Sequence, residues 1–265
     1  MDTLLFERGD DRVATLTFNR PERKNAINTT MWRELVEVLD EVEDDAGLRV
    51  LVLTGAGDAF TSGADLGRDA LGEVAEGGGG YGRSVRSMRI VGRVALRLHE
   101  LHTPTIAAVN GVTAGAGCNL ALGCDLIVAA DTARFSEIFA RRGLALDGGG
   151  SWLLPRLVGL HRAKQLAFLA DIVSAKEAHE LGLVNWVVPA AELSAFVADL
   201  AGRIAAQPPI QVQQIKRQLN QSFSVSMAEA VELEDLVQAA NFGSRDTAEA
   251  MLAFLERREP RFTGE

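Results

Sequence analysis

Short apolar runs alternate with helical patterns along the first 190 residues of the chain. "VLVLTG" (50–55) is a continuous apolar run that ends in glycine, which is typical of a strand buried on both faces. "TIAAVNG" (105–111) and "DLIVAA" (125–130) have the same character. Between these runs, helical patterns cover about 30–45, 83–102 and 117–124. Because strands that alternate with helices form sheets covered by helices, the chain is predicted to be an α/β protein.

The two ends of the chain differ from this middle part. "LLFER" (4–8) and "RVATLTFN" (12–19) predict a hairpin of strands, and one further strand is predicted at "LVNWVV" (183–188). Beyond residue 160 the pattern is otherwise helical, with capping-box sequences at 174–177 and 226–229. We therefore predict a core over 1–190 and a helical region over 191–265. The glycine-dense segment 72–82 predicts a mobile loop.

Composition and charge exclude several classes of function. The net charge of −9 argues against a nucleic-acid or anionic-membrane partner. Apolar runs are too short for a membrane span, and the opening "MDTLLFERGDD" does not resemble a signal peptide. The two cysteines, Cys118 and Cys124, lack metal-ligand spacing, so we expect a reducing, cytoplasmic location.

Two strand-to-loop transitions, "FTSGAD" (60–65) and "NGVTAGAGCNL" (110–120), are candidates for chemistry. Both consist largely of small residues, which allow a ligand to approach the main chain closely. A helix that begins near Ala116 would direct free N–H groups into the second turn. Two such turns side by side could form an oxyanion hole. Tight strand–helix packing would produce the same composition.

Three segments resemble the crotonase superfamily of enoyl-CoA hydratases and isomerases. They are "AAVNGVTAGAGCNLALGCDLIVAA" (107–130), "FARRGLALDGGGSWLLPRLVG" (139–159) and "SAKEAHELGLVNWVV" (174–188). "FNRPERKNAIN" (18–28) and the ending "FTGE" are also similar, so the resemblance covers nearly the whole chain. It implies a spiral of ββα units and a helical tail that forms homotrimers, often paired into hexamers. Acyl-CoA thioesters are the implied ligands, with no metal or redox cofactor.

The resemblance also implies roles for particular residues. It places the oxyanion hole on the backbone N–H groups of Ser62 and Ala116. Hydratases of the family hold water between two glutamates, and these positions correspond to Asn119 and Phe139. Neither an amide nor a phenyl ring accepts a proton, which argues against the standard hydratase mechanism. The remaining implied pocket and coenzyme A contacts are Ala26, Gly63, Ala64, Asp65, Leu66, Gly117, Trp152, Arg258 and Phe262.

Asp147, in "LDGGGSWLLPR", is the acid on which the predicted chemistry depends. The segment is most similar to the isomerase branch of the family, which includes ring-epoxide phenylacetyl-CoA isomerases. One carboxylate suffices for isomerisation, since it can remove a proton from one carbon and return it to another. Leu144, Leu146 and Trp152 are expected to make the site of Asp147 apolar and to raise its pKa. The alternative is that Asp147 only caps the following helix.

Other interpretations remain open at this point. A hydratase, a hydrolytic dehalogenase that uses Asp147 as a nucleophile, and an RNA-binding homologue are the competing functions. Asn119 could face the pocket or could be a buried amide that ties two loops together. We interpret Glu137 as a solvated or capping acid, with entry into the pocket as the alternative. The sequence does not define the acyl group.

Overall fold

The fold is described from a computed structural model, which describes residues 1–67 and 80–265. Within these residues no helix has both the length and the apolar character needed to cross a membrane. The predicted mobile loop at 72–82 falls mainly on residues outside the described ranges, and a helix begins at Gly80. The described residues form ten strands: β1 (Leu4–Arg8), β2 (Val13–Phe18), β3 (Val50–Gly55), β4 (Ala59–Thr61), β5 (Thr105–Val109), β6 (Val112–Ala114), β7 (Leu126–Ala130), β8 (Arg134–Ser136), β9 (Val173–Ser174) and β10 (Trp186–Val188).

Ten α-helices complete the described parts of the chain. They are α1 (Thr29–Asp44), α2 (Gly80–Glu100), α3 (Ala116–Leu122), α4 (Gly150–Val158), α5 (Leu160–Leu169), α6 (Ala175–Leu181), α7 (Leu193–Ala205), α8 (Pro209–Gln221), α9 (Met227–Asn241) and α10 (Arg245–Glu256). Short 3-10 helices cover Pro21–Arg23, Ile138–Arg142 and Ala190–Glu192. Both predicted capping boxes are confirmed, with Ser174 and Ser226 as the N-cap residues of α6 and α9.

The strands form two sheets. The larger has the order β1-β2-β3-β5-β7-β10, in which only β1 is antiparallel to its neighbour. The smaller has the order β4-β6-β8-β9, with β4, β6 and β8 parallel. Three successive pairs, β3/β4, β5/β6 and β7/β8, each give one strand to each sheet. This repeated pairing is the ββα spiral that the resemblance predicts.

Both faces of the larger sheet are covered, which explains its continuous apolar strands. In β5, every residue from Thr105 to Val109 is buried. One face packs with α1, α2 and α3 in the main hydrophobic core, and the other face packs against α7. The division into 1–190 and 191–265 stays a prediction. Helix α7 belongs to the second of these regions, yet it packs on the larger sheet and completes the hydrophobic core on that face. The last three helices present many exposed apolar side chains, among them Leu219, Leu236 and Phe254.

Candidate active site

A cavity of about 730 Å³ opens where the strands of the smaller sheet end. Both predicted small-residue turns line it, the first at 62–67 and the second at 112–116. The segment 134–147 also contributes to the lining and includes Asp147. The structure therefore brings together the two turns and the acid that the sequence singled out separately.

The two turns lie directly against each other, and Gly63 makes this possible. Gly63 has a φ of +88°, and a methyl group there would lie 2.5 Å from the carbonyl oxygen of Ala114. The same methyl group would lie 3.5 Å from the nitrogen of Ala116. Any side chain at position 63 would therefore separate the turns and occupy the space beside the Ala116 N–H.

The assignment of Ser62 as an oxyanion donor is wrong. Its backbone N–H already donates to the carbonyl oxygen of Lys24, with 3.0 Å between nitrogen and oxygen. Within the same turn, Gly63 N–H donates to Thr61 Oγ1 and Asp65 N–H donates to the carbonyl oxygen of Ile27. Among residues 62–65, only Ala64 has an N–H without an acceptor in residues 1–67 and 80–265. Ala64 is therefore the available donor of the first turn.

Ala116 supplies the second available donor. It is the first residue of α3, and Gly115, with a φ of +54°, precedes it as the N-cap. A helix leaves its first N–H groups without intrahelical acceptors. Accordingly, the N–H of Ala116 has no hydrogen-bond acceptor in the described part of the chain. Ala64 and Ala116 both line the cavity, so two main-chain donors are available to one bound oxygen.

An ion pair holds the first turn in place. Arg20 Nη1 lies 2.8 Å from Asp65 Oδ2 and also donates to the carbonyl oxygen of Ala26. Burial opposes ionisation of Asp65, but hydrogen bonds from Arg20 and from the Gly67 N–H outweigh it and lower its pKa. Asp65 is thus an ionised residue that connects Arg20 to the first turn.

Asp147 lies in the cavity wall and does not cap the next helix. The N-cap of α4 is Gly149, and no side chain hydrogen-bonds to that helix end. Among the described residues, Asp147 Oδ1 is buried and has no hydrogen-bond partner. Burial raises the pKa of Asp147 to about 6. A carboxylate with this pKa is suited to accept and return a proton near neutral pH.

Asn119 supports Asp147 from behind the cavity. It is 1% exposed, does not line the cavity, and its Nδ2 donates to the main-chain carbonyl of Asp147 at 2.9 Å. Of the two interpretations left open by the sequence, the structure therefore favours the buried amide that ties two loops together. Asn119 fixes the main chain of Asp147 and is not in a position to contact a ligand.

The other predicted pocket residues divide into two groups. Ala26, Leu66 and Phe139 line the cavity together with Gly63, Ala64 and Asp65. Gly117 does not line it, and instead packs so closely on Thr61 that a methyl group would lie 2.6 Å from the Thr61 carbonyl oxygen. Gly117 therefore contributes close packing of α3 on β4.

Glu137 is the clearest correction to the sequence interpretation. It was expected to be solvated or capping, yet it is 4% exposed and makes no capping hydrogen bond to the 3-10 helix that follows it. Burial raises the pKa of Glu137 to about 7, and the charge of Asp147 adds to the increase. Cys118 and Asn119 act in the opposite direction. The one sequence signal was that Glu137 lies two positions before Phe139.

Three further predicted contacts do not line the cavity of this chain, and for Arg258 and Phe262 contact with coenzyme A bound to a neighbouring subunit stays a prediction. Trp152 packs edge-to-face on His99 and under Arg156, in a separate cavity. Arg258 forms an ion pair with Glu249 at 2.6 Å in the C-terminal segment. Phe262 is half-buried near Arg49, which donates to its carbonyl oxygen. Successive side chains of α4 point in different directions around the helix axis. Trp152 therefore lies in a different cavity from Asp147, although the two residues are close in sequence.

Sequence reasoning missed the basic residues that do line the cavity. They are Arg23, Arg134 and Arg142, and all three are exposed. Arg134 donates to two neighbouring carbonyl oxygens, and neither Arg23 nor Arg142 forms an ion pair within the described residues. These arginines offer positive charge to an anionic ligand despite the acidic balance of the whole chain.

Comparison with known proteins agrees with this architecture. The family model described as enoyl-CoA hydratase/isomerase matches residues 8–265. The chain is 42% identical to 1,2-epoxyphenylacetyl-CoA isomerase of Escherichia coli (strain K12), over 95% of each chain. It is 35% identical to short-chain-enoyl-CoA hydratase of Clostridium acetobutylicum, over 98% of this chain and 97% of the relative.

The fold is shared with solved structures as well. The crystal structure of enoyl-CoA hydratase from Bacillus anthracis superposes with a TM-score of 0.92 at 30% identity, covering 99% of this chain and all of that one. The predicted crotonase-type α/β fold is therefore confirmed. The protein belongs to the enoyl-CoA hydratase/isomerase family.

Proposed function

We propose that this member of the family is an acyl-CoA isomerase in which Asp147 shuttles a proton. The observation that carries the proposal is that, among the described residues, Asp147 is the one cavity-lining carboxylate with a raised pKa, in a cavity that Ala64 and Ala116 also line. In the hydratase-type arrangement two glutamates are required, and the corresponding positions here are Asn119 and Phe139.

The chemistry follows from these groups. Asp147 removes a proton from a carbon activated by the thioester carbonyl, and the resulting negative charge develops on the thioester oxygen. The N–H groups of Ala64 and Ala116 stabilise that oxygen, and each such donor contributes about 3 kcal/mol in comparable sites. Protonated Asp147 then returns the proton to another carbon, so the double bond moves without net uptake of water. No metal or redox cofactor takes part in this proposal.

The proposed ligand is a coenzyme A thioester, and several features support it. The relatives named above act on acyl-CoA compounds, and exposed Arg23 and Arg142 at the cavity suit an anionic phosphate group. The exposed apolar side chains of α8 to α10, such as Leu219, Leu236 and Phe254, support a homotrimer or a dimer of trimers. The two buried, unpaired cysteines support a reducing cytoplasmic location.

The proposal is tested with two assays run in deuterated water. One assay follows conversion of a 3-enoyl-CoA to the 2-enoyl isomer, and the other follows hydration of crotonyl-CoA. Wild type, Asp147→Asn and the control Asp171→Asn are compared, because Asp171 is exposed and lies outside the cavity. In wild type and in Asp171→Asn we expect isomerisation to be on the order of 10³-fold faster than hydration. In Asp147→Asn we expect isomerisation to be lost, with a reduction on the order of that seen when a general base is removed.

The hydratase alternative predicts a different pattern. Robust hydration of crotonyl-CoA that survives Asp147→Asn would overturn the isomerase proposal, since the reaction would then use other groups. Hydratase relatives such as that of Clostridium acetobutylicum make this the leading competing function.

A further inference from the structure

Phe139 is a cavity-lining side chain to which the proposed mechanism gives no part. It is 6% exposed and belongs to the 3-10 helix Ile138–Arg142. A methyl group on Gly115 would lie 3.7 Å from Phe139 Cζ and 3.9 Å from Phe139 Cε1. Gly115 is the N-cap of α3 and directly precedes the donor Ala116. The edge of the phenyl ring therefore packs beside the turn that presents the Ala116 N–H.

Hydrogen bonds to the main chain hold the segment that carries Phe139 against this turn. Gly115 N–H donates to the carbonyl oxygen of Ser136 at 2.9 Å, which joins the start of α3 to the end of β8. Ser136 Oγ in turn donates to the carbonyl oxygen of Ala170 at 3.3 Å. Arg141, in the same 3-10 helix as Phe139, donates to a main-chain carbonyl at the end of α5 at 3.2 Å. Because the segment is tied on both sides of Phe139, its main chain is fixed relative to the donor turn.

Water in this part of the cavity would find few polar partners, although a buried water typically forms about three hydrogen bonds. The hydroxyl groups of Thr113 and Ser136, both in the lining, already donate to main-chain carbonyl oxygens at 3.1 Å and 3.3 Å. In the proposed mechanism a thioester oxygen occupies the N–H groups of Ala64 and Ala116. The phenyl ring of Phe139 has neither a donor nor an acceptor, so it adds apolar surface beside the bound oxygen.

We infer that Phe139 is a specificity-determining residue that excludes water from the space beside the Ala116 N–H and so favours isomerisation over hydration. This inference rests on the proposed function. In hydration, a water oxygen would bond to the β-carbon of a 2-enoyl thioester and a proton of that water would pass to Asp147. Asp147 would then return a proton to the α-carbon.

The position of the β-carbon connects the ring to this reaction. The β-carbon is two bonds from the thioester carbonyl carbon, so it lies in the same part of the cavity as the oxygen bound by Ala116. Exclusion of water from that space removes the reactant of the addition. It also strengthens the hydrogen bond from Ala116 to the thioester oxygen, because hydrogen bonds are stronger in apolar surroundings.

The first test measures shielding of the donor and does not depend on activity. Hydrogen exchange of the Ala116 amide is followed by NMR in protein labelled with ¹⁵N-alanine. Ala116 is 2% exposed and its N–H has no acceptor in the described residues, so its protection comes from burial by its neighbours. We expect exchange to be about ten-fold faster in Phe139→Ala and Phe139→Gln. It should be unchanged in Phe139→Met, which keeps an apolar side chain of similar volume.

The second test compares hydration of crotonyl-CoA with isomerisation of a 3-enoyl-CoA in the same variants. We expect the ratio of hydration to isomerisation to rise about ten-fold in Phe139→Ala, which corresponds to about 1.4 kcal/mol in relative barrier height. Phe139→Gln should show the same rise, because its amide can hold water, and it leaves a smaller void if Phe139→Ala does not fold. Phe139→Met should keep the wild-type ratio. So should the control Phe168→Ala, which removes an exposed ring outside the cavity.

Two results would overturn the inference. One is an Ala116 exchange rate that is the same in wild type, Phe139→Ala and Phe139→Gln, which would show that the ring does not shield the donor. The other is faster exchange without a rise in the hydration ratio, which would show that access of water does not decide the reaction. If wild type fails to isomerise a 3-enoyl-CoA, the proposed function fails, and the exchange measurement still decides whether Phe139 shields Ala116.

Discussion

Asn119 Nδ2 donates to the main-chain carbonyl of Asp147 at 2.9 Å, and this contact connects α3 to the loop before α4. Ala116 begins the same helix, so one short element carries an oxyanion donor at its first residue and supports the proposed base at its fourth. The distance between donor and base is therefore determined by one turn of helix and one hydrogen bond.

Substitution of Asn119 by alanine is expected to reduce kcat by about 10²-fold, because misplacement of a base by about 1 Å has effects of that size. KM is expected to change little, since Asn119 does not line the cavity. Steady-state isomerase kinetics measure both values. The matched control is Asn220→Ala, whose amide ties α8 to the His99 carbonyl in another part of the fold. Equal losses in the two variants would contradict a specific role for Asn119.

Gly150 provides an independent way to disturb the same amide. A methyl group there would lie 2.4 Å from Asn119 Nδ2 and 2.5 Å from Asn119 Oδ1, so Gly150→Ala must displace the side chain. We expect a loss of about 1–3 kcal/mol in the free energy of unfolding, together with reduced kcat. Gly202→Ala, in α7 with nothing within 4 Å, is the control and is expected to raise stability by up to about 1 kcal/mol. Urea denaturation compares the two.

The assignment of Ala64 as oxyanion donor is testable by replacing single backbone amides with esters. An ester at position 64 removes an N–H that has no acceptor in the described residues, and kcat is expected to fall by about 10²–10³-fold. An ester at position 62 removes only the hydrogen bond to the Lys24 carbonyl, so stability should fall while kcat is nearly retained. A larger kcat loss at position 62 than at position 64 would restore Ser62 as the donor.

The sequence predicted the larger elements because their patterns are long enough to be periodic. The run 50–55 coincides with β3, and the helical stripe at 30–45 differs from α1 by one residue at each end. The smaller sheet was not predicted, because its strands have only two or three residues. Strands this short show no alternation of apolar and polar residues in the sequence. They are recognised only because β4, β6 and β8 pair with one another.

The site was predictable as a set of segments but not in its atomic detail. The two turns and Asp147 were identified from small residues and family resemblance. Which N–H of the first turn is available depends on the carbonyl oxygens of Lys24 and Ile27, which accept the hydrogen bonds of its neighbours from 38 residues earlier in the chain. The burial of Glu137 likewise depends on α3, which packs over it from elsewhere in the chain. Tertiary contacts of this kind leave no local pattern.

The exposed Arg142 is expected to act on binding of the anionic thioester and not on the chemical step. Arg142→Ala should raise KM for an acyl-CoA several-fold with kcat unchanged, because it lines the cavity outside the reacting groups. Increasing the salt concentration should weaken binding by wild type more than by the variant. Arg217→Ala, which lies in a different cavity, is the control. Isothermal titration with a non-reactive acyl-CoA measures the affinity, and an unchanged Kd in Arg142→Ala would contradict the prediction.

Glu137 also makes the stability of the protein depend on pH. Its pKa is about 7 in the folded protein, against 4.5 as the ordinary value that applies to the unfolded chain. Below pH 4.5 both states are protonated and Glu137 has no effect. Between pH 4.5 and 7 the unfolded chain releases a proton that the folded protein keeps, so the free energy of unfolding falls as pH rises. The full loss, present above pH 7, is on the order of 3 kcal/mol.

Glu137→Gln lacks this ionisation, so its stability relative to wild type is expected to increase between pH 4 and pH 8 by up to about 3 kcal/mol. Urea denaturation at pH 4, 6 and 8, at one fixed protein concentration, measures the difference. Glu22→Gln is the control, because Glu22 is exposed on the surface. A difference between Glu137→Gln and wild type that stays constant with pH would mean that folding does not raise the pKa of Glu137.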